Sequence, residues 1–179
     1  MPVAPNLLAR NFTPGRRIGC GQATSRTSRP AKAGCNLAIV LDLFNREVVG
    51  WSIKPRMTAD IVTDALTMAW FRRKPAAGVI FHSDRGSQYA SQAMTAKLSE
   101  YSMTASMSRK GNCWDNAPTE SFFNSLKNER VHGTQAELFE YIEVFYNRSR
   151  RHSTLGYSSP VRFLENWISA HAARQAKAA

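Results

Sequence analysis

Two acidic residues, Asp84 and Glu120, have side chains and positions that could serve metal-assisted phosphoryl chemistry. Asp84 follows a short apolar strand predicted at 78–82, and open α/β sheets bind ligands at the carboxyl ends of such strands. Glu120 comes after 35 intervening residues, in the first turn of a helix that begins near Pro118. Two carboxylates that meet at one sheet edge would bind cations of the Mg²⁺ type, which assist phosphoryl displacement.

A purely structural interpretation of the same residues is also open, and for spacing alone it is the more common outcome. Asp84 can cap a turn before Gly86, and Glu120 can simply favour the positive end of its helix. Lys127 follows Glu120 by seven residues and therefore shares its helical face, where its cation could hold a phosphate beside the metals. Spacing by itself leaves both interpretations standing.

The segments around these residues predict a mixed α/β fold, with helices packed on one sheet. Two short apolar runs joined by a turn at 44–46 predict a hairpin. In the last predicted helix, one face carries Leu138, Tyr141, Ile142 and Phe145. The predicted strands are 37–41, 47–53, 78–82 and 103–106, and the predicted helices are 58–73, 91–101, 116–130 and 137–148.

Composition indicates a basic, folded protein. Hydrophobic residues make up 43% of the 179-residue chain, which excludes wholesale disorder. Lys and Arg total 24 against 13 Asp and Glu, and this formal net charge of +11 suggests a phosphate-rich partner such as nucleic acid. The three cysteines form no C-x-x-C pair, which argues against a disulfide framework or a zinc site. No apolar run fits a membrane span or a signal peptide, so a cytoplasmic location and no membrane partner are expected.

Two segments differ from the rest of the chain. Residues 15–35 are basic, carry no acid and have no hydrophobic period, which predicts a loop or disordered arm. The Ala-rich, polar segment 171–179 is expected to fray. The predicted organisation is an irregular basic arm over 1–35, a folded domain over 36–168 and a flexible tail over 169–179.

Four motifs occur in order along the chain: LDLFNREVVGWS, HSDRGSQYAS, SRKGNCWDNAPTESFFNSLKNE and FYNRSRRHSTLGYSSP. Together they resemble the catalytic domain of bacterial insertion-sequence transposases, over residues 38–167. These proteins belong to the DDE group, which is similar to retroviral integrases and has an RNase H-like fold, a mixed sheet flanked by helices. The resemblance implies that Asp84 and Glu120 are catalytic and bind Mg²⁺ or Mn²⁺. It also matches Lys127 to the basic residue two turns after the glutamate.

The same resemblance implies a polynucleotidyl transferase that cleaves and joins DNA strands during transposition, in association with the nucleoid. Its implied partners are the DNA of the element ends and the target, a helix-turn-helix protein from the same element, and further copies of itself. Basic residues that can follow a DNA backbone are Arg109 and Lys110 before Glu120, together with Lys127, Arg148, Arg150 and Arg151. For the last three, a solvated basic helix end is the alternative.

The family's third carboxylate, which lies on the first strand in a segment resembling V-W-x-x-D-I-T-Y, is absent. Asp42 belongs to a different motif, only 42 positions before Asp84, and cannot replace it. A family-like segment, DRVWASDITYIPTGEGWL, can be encoded by codons chosen to fit this chain. Translation of that message from its second base gives residues 18–34 and permits Cys35. We hypothesise that 18–35 is a frame-shifted reading of this strand, with the aspartate codon straddling Ala23 and Thr24, 60 positions before Asp84.

This hypothesis predicts a first strand that is missing or garbled and a copy that is inactive. Two alternatives stay open: a catalytically dead DNA-binding or subunit-mixing protein that interferes with intact transposase, and a basic α/β domain with no nucleic-acid role.

Other candidate residues receive structural interpretations. His82 and His152 are expected to be structural and Cys113 inert, while core or loop anchoring is expected for Trp51, Trp70, Trp114 and Trp167.

Overall fold

The structure, a computed structural model, describes residues 3–12, 20–27, 36–129 and 134–178. Its strands are β1 (Cys20–Thr27), β2 (Asn36–Asp42), β3 (Val48–Lys54), β4 (Ile80–Ser83) and β5 (Thr104–Met107). Its α-helices are α1 (Ala59–Arg73), α2 (Gln92–Glu100), α3 (Ala117–Asn128), α4 (Gln135–Phe139) and α5 (Pro160–Ala178). A π-helix, Glu140–Tyr146, continues α4, and two 3₁₀ turns cover Cys113–Asn116 and Ser153–Leu155.

The described strands form one mixed sheet in the order β3-β2-β1-β4-β5. The predicted hairpin is β2 with β3, and β2 also pairs antiparallel with β1. β4 pairs parallel with both β1 and β5, so it lies inside the sheet as its continuous apolar sequence predicts. The mixed α/β fold expected from the sequence is therefore confirmed.

The prediction of a loop or arm over 15–35 is wrong for Cys20–Thr27, which forms β1 at the centre of the sheet. The first strand is therefore present, although its sequence is irregular. Composition predicts the wrong structure here because the strand is stabilised by its neighbours in the sheet. The backbone groups of β1 form hydrogen bonds with β2 on one side and with β4 on the other, and without β1 those groups of β2 and β4 would lack partners. The rest of the predicted arm, at 13–19 and 28–35, lies outside the described residues.

The start of the chain also packs on the domain instead of forming a separate arm. Leu8 is buried in the core beneath α3, and the Leu7 N–H donates a hydrogen bond of 2.9 Å to Ser106 Oγ. The Met107 N–H, at the edge of β5, donates to the Pro5 carbonyl oxygen at 3.3 Å. Residues 3–12 therefore belong to the folded domain, contrary to the predicted boundary at residue 35.

Helices cover both faces of the sheet, and neighbouring strand residues alternate between two cores. On β2, Val40 packs in the core under α1 and α2, whereas Ile39 packs in the core under α3 and the π-helix. α1 lies so close to β3 that a Cβ atom at Gly50 would be 2.1 Å from the Ala65 carbonyl oxygen. Glycine is therefore required at this position, because any larger residue would push the helix away.

The predicted last helix divides into α4 and the π-helix, and this changes which side chains are buried. Leu138, Tyr141 and Ile142 are buried as expected, but Phe145 is 43% exposed and Tyr146 is buried in its place. The Asn147 N–H donates to the Ile142 carbonyl oxygen, five residues back, so each turn holds more residues than in an α-helix. The wider turn moves the buried face by one residue.

The segment 169–178, predicted as part of a flexible tail, instead continues α5 to Ala178. Its alanines favour the helix intrinsically, which the interpretation as a tail underestimated. Trp167 attaches the helix to the domain through an edge-on contact with Phe44, at 5.3 Å between ring centroids. Among the residues that the structure describes, no helix is long and apolar enough to cross a membrane.

Candidate active-site cleft

Asp84 follows the last residue of β4 and is half-buried. Strand alternation places Ile80, His82 and Asp84 toward the same face, and Ile80 packs in the core under α3. One carboxylate oxygen, Oδ1, accepts a hydrogen bond of 2.8 Å from the Gly86 N–H. A Cβ at Gly86 would lie 2.9 Å from that oxygen, so glycine permits the tight turn. Asp84 therefore caps this turn, and the capping hydrogen bond is made by Oδ1.

Glu120 lies in the first turn of α3, as predicted, and is half-buried. The helix is fixed on the sheet by Phe122 and Leu126, both buried in the core that also contains Ile39. Asn116 occupies the N-cap position but makes no side-chain capping bond, and Pro118 is in the first turn. The core contacts, more than the cap, set the direction in which Glu120 enters the site.

The two carboxylates line one cleft of about 400 Å³. Its other lining residues come from the turn after Asp84 and from the loop between β5 and α3: Arg85, Ser108, Arg109, Lys110, Gly111, Asn112 and Asn116. Parallel pairing of β4 with β5 brings this loop to the carboxyl edge where Asp84 lies. The structure thus brings Asp84 and Glu120 together with two of the predicted cations, while their role as metal ligands stays a prediction.

The pairing of β1 shows which residue stands beside Asp84. Ala23 is in register with Ser83, so position 24 is the neighbour of Asp84 across the parallel pair. Position 24 is also in register with Ile39, which belongs to the face covered by α3. The residue at that position is threonine, and the sequence 18–35 contains no Asp, Glu or His.

The donor set is therefore incomplete for the paired ions that the family implies. In the part of the chain that the structure describes, no three His, Cys, Asp or Glu residues are grouped to hold a metal ion. Asp42 does not help, because it pairs with Gly21, three residues back along β1 and about 10 Å from position 24. Its Oδ1 accepts the Phe44 N–H at 2.9 Å instead. Two carboxylates without a third do not fit a two-ion centre.

The cleft wall is organised by a buried carboxylate that sequence reasoning missed. Asp115 is 1% exposed and accepts hydrogen bonds from Arg109 Nε at 3.0 Å and from an Arg109 terminal nitrogen at 2.8 Å. Asn6 Nδ2 and Arg10 Nε donate to the same carboxylate at 2.9 and 3.0 Å. The hydrogen bonds from Arg109 hold the pKa of Asp115 well below its usual range, against the opposing effect of burial. No local pattern predicts contacts that span more than 100 residues.

The six predicted DNA-binding cations fall into two sets. The cleft cations, Arg109 and Lys110, line the site, and the Arg109 side chain stays 55% exposed despite its bonds to Asp115. The helix-end cations, which are Lys127, Arg148, Arg150 and Arg151, do not line the cleft. Lys127 is about 10 Å along α3 from Glu120. Arg150 pairs with Glu129 at 2.8 Å, and the exposed Arg148 and Arg151 lie near it in sequence.

The histidines predicted to be structural are in packed surroundings. His82 is fully buried with Nδ1 2.9 Å from Ser106 Oγ, and burial lowers its pKa. The His152 ring contacts Tyr146 edge-on at 5.0 Å, and burial lowers its pKa to about 4. Both rings are packed against neighbouring side chains, as a structural role requires.

The prediction that all four tryptophans are anchors is wrong for one of them. Trp51 donates to Glu143 at 2.7 Å, Trp70 stacks on Tyr101 at 4.7 Å, and Trp167 packs on Phe44. Trp114, on the 3₁₀ turn of the cleft loop, is 70% exposed. Its neighbours in sequence already anchor the turn, so the indole is not needed for that purpose.

Comparison with known proteins gives the family. Residues 15–113 match the family model described as integrase core domain, and residues 101–160 match a second model with the same description. The chain is 45% identical to the transposase InsF for insertion sequence IS3A of Escherichia coli K12, covering 91% of this chain and 59% of that protein. It is 41% identical to a 31 kDa protein of insertion element IS600 from Shigella sonnei, covering 93% of this chain and 64% of that protein. The chain thus spans roughly three fifths of the length of these relatives.

Solved structures share the fold at low sequence identity. The simian T-cell lymphotropic virus intasome, solved with the PP2A regulatory subunit B56 gamma, contains a chain with a TM-score of 0.71 at 15% identity, covering 91% of this chain and 58% of that one. The HTLV-2 integrase catalytic core domain, solved in complex with magnesium, has a TM-score of 0.64 at 14% identity, covering 82% of this chain and 95% of that one. The shared fold is that of the RNase H-like integrase cores. With its sheet order and a family match over more than half its length, the chain belongs to the integrase core domain family, and its sequence is similar to that of insertion-sequence transposases.

Proposed function

We propose that this chain is a DDE transposase catalytic domain, of the kind that cleaves and joins DNA strands in intact relatives, and that this copy is inactive. The observation that carries the proposal is the pairing of β1 with β4. It puts position 24 beside Asp84, and threonine occupies the place where the family resemblance requires an aspartate. The convergence of Asp84 and Glu120 on one cleft supports the family's active site. The missing carboxylate argues against its operation.

Inactivity follows from the chemistry of the metal. Intact relatives are expected to depend on Mg²⁺ or Mn²⁺, which stabilise the attacking and leaving oxygens of the phosphoryl transfer. Mg²⁺ requires near-octahedral oxygen ligation and gives up its water slowly, so two carboxylates that serve two ions would hold them weakly. Asp84 and Glu120 can still position a cation or a water molecule. Without the third ligand, we expect neither strand cleavage nor strand transfer.

The origin of the defect can be read from the gene. If the frame-shift hypothesis is correct, the nucleotide sequence across codons 14–38 contains a second reading frame. That frame is expected to encode a segment resembling W-x-x-D-I-T-Y, with its aspartate codon overlapping codons 23 and 24. Sequencing of this region is the measurement. A region without such a frame would show that the irregular strand arose in another way.

DNA is the proposed partner, as element end or target. The two cleft cations lie beside the carboxylates, where a phosphate of a bound strand would pass. Replacing Arg109 or Lys110 with alanine should weaken DNA binding uniformly across sequences and lower the slope of log affinity against log salt by about 1 each. Fluorescence anisotropy over a salt series measures this slope. Arg56→Ala, an exposed cation that does not line the cleft, is the matched control. If the natural chain binds DNA with no salt dependence, a phosphate-binding role for the cleft is contradicted.

A second candidate function is a subunit-mixing inhibitor of intact transposase. The complete sheet and the retained cleft cations favour it, because a folded but inactive copy can occupy DNA or a place in an oligomer. Further copies of the chain and a helix-turn-helix protein from the same element remain proposed partners. Co-expression with an intact relative tests this function. A fall in transposition that disappears with a non-folding variant would favour it, and unchanged transposition would contradict it.

A further inference from the structure

The cleft loop carries one large aromatic side chain that the fold does not use. Trp114 is 70% exposed on the 3₁₀ turn Cys113–Asn116, between the cleft residues Asn112 and Asn116. Its indole is far more exposed than those of Trp51, Trp70 and Trp167, which all make ring or hydrogen-bond contacts within the domain. Exposed side chains such as Phe71 occur elsewhere on the surface, but Trp114 is flanked by residues of the cleft that the proposed function assigns to DNA, and its indole is available there for stacking.

The turn that carries Trp114 is held rigidly. Its own backbone N–H donates to Asn112 Oδ1 at 3.2 Å, and an Arg10 terminal nitrogen donates to the same oxygen at 3.2 Å. The next residue, Asp115, is buried and fixed by Asn6, Arg10 and Arg109. The indole is therefore presented from an anchored loop, and a partner would lose little conformational entropy in binding it.

The surroundings of Trp114 are cationic. Arg10 and Arg109, both bonded to the adjacent Asp115, have side chains that are 45% and 55% exposed, and Lys110 on the same loop is exposed. An exposed aromatic ring within a set of cations is the combination by which proteins bind unpaired nucleotides. The cations attract the phosphates, and the ring stacks on a base of any sequence.

Resting on the proposed function, we infer that Trp114 is a stacking site for an unpaired base of a DNA strand that lies in the cleft. Inside a duplex both faces of each base are covered by its neighbours, so the ring can only reach a base that is terminal or unpaired. Such a base occurs where the end of a DNA duplex opens. The site therefore distinguishes opened ends from continuous duplex, independently of the metal and of the missing carboxylate.

Binding measurements without added metal test this inference. The probes are a blunt duplex and the same duplex with two unpaired 3′ nucleotides, one of them 2-aminopurine, whose fluorescence is quenched by stacking. The natural chain should bind the unpaired end more tightly and quench the probe. Trp114→Ala should lose about 5- to 150-fold in affinity for the unpaired end, the equivalent of one stacked base, with little change for the blunt duplex. Trp114→Phe should retain most of the affinity and the quenching.

Phe71→Ala is the matched control, because Phe71 is 62% exposed on α1, on the opposite face of the sheet. It should bind both probes as the natural chain does. If the natural chain binds both DNAs and Trp114→Ala binds the unpaired end equally well with equal quenching, the inference is wrong although the proposed function stands. If the natural chain binds neither DNA, the proposed function itself fails. If Trp114→Ala instead abolishes self-association of the DNA-free chain and leaves DNA binding intact, the ring contacts a second copy and the inference is overturned.

Discussion

Replacing Thr24 with aspartate is expected to give this chain Mg²⁺-dependent cleavage of DNA that the natural chain lacks. Position 24 is the neighbour of Asp84 across the β1–β4 pair and belongs to the face covered by α3, from which Glu120 enters the cleft. A carboxylate there would complete a set of three for the metal ions. Because each lost electrostatic partner of the transition state is worth several kcal/mol, the gain in rate should reach orders of magnitude. Cleavage of labelled DNA carrying the element end, and calorimetric titration with Mg²⁺, measure the two effects.

The neighbouring strand positions provide sharp controls. Thr24→Asn has nearly the same shape without the charge and should stay inactive. Ala23→Asp puts the carboxylate one residue away, in register with Val40 of the opposite core, and should destabilise the chain without any gain. Adding Asp84→Asn to the Thr24→Asp variant should abolish the gain. Cleavage by the natural chain that Asp84→Asn removes would contradict the proposed inactivity, as would a folded Thr24→Asp variant that binds Mg²⁺ no better than Thr24→Asn.

Replacing Asp115 with alanine is expected to lower the free energy of unfolding by about 2 kcal/mol, or the melting temperature by about 4–8 °C. The buried carboxylate accepts hydrogen bonds from the backbone N–H and the guanidinium of Arg109, and from the side chains of Asn6 and Arg10. Its loss would release both the N-terminal segment and the cleft loop. The expected cost is below that of a fully buried ion pair, because both arginines are about half-exposed and solvent screens their charges. Urea and thermal unfolding measure the difference.

The same substitution should change the response to acid. Since the pKa of Asp115 is lowered in the folded chain, its stabilisation is fully present above the unfolded pKa near 3.9. It is lost as the pH falls from there through the folded pKa, so the natural chain should lose more stability below about pH 4 than Asp115→Ala does. Glu100→Ala is the control, because Glu100 is 57% exposed and pairs with Lys97 at 3.0 Å. Its effect should stay below about 1 kcal/mol, and an equal effect for the two variants would contradict the role given to Asp115.

Features that depend on neighbours along the chain can be predicted from the amino-acid pattern alone. The hairpin of β2 and β3, the helices α1, α2 and α3, and the strands β4 and β5 all follow from local hydrophobic periods, turns and breakers. The motifs around Asp84 and Glu120 identified two residues that the structure brings to one cleft, because a carboxyl-terminal strand edge and a helix start are themselves local signals. The sequence alone also shows that the segment 18–35 contains no third carboxylate.

Features that depend on partners far away in the chain become visible only in the folded domain. Cys20–Thr27 has the composition of a loop and forms the central strand because β2 and β4 provide its hydrogen-bond partners on both sides. Tyr146 is buried in place of Phe145 because a π-helical turn shifts the face that packs under α3. Asp115 binds Asn6 and Arg10 from more than 100 residues away, and this contact fixes the loop that exposes Trp114. Local propensity cannot encode such pairings, because their free energy comes from backbone and charged groups that meet only when the sheet has formed.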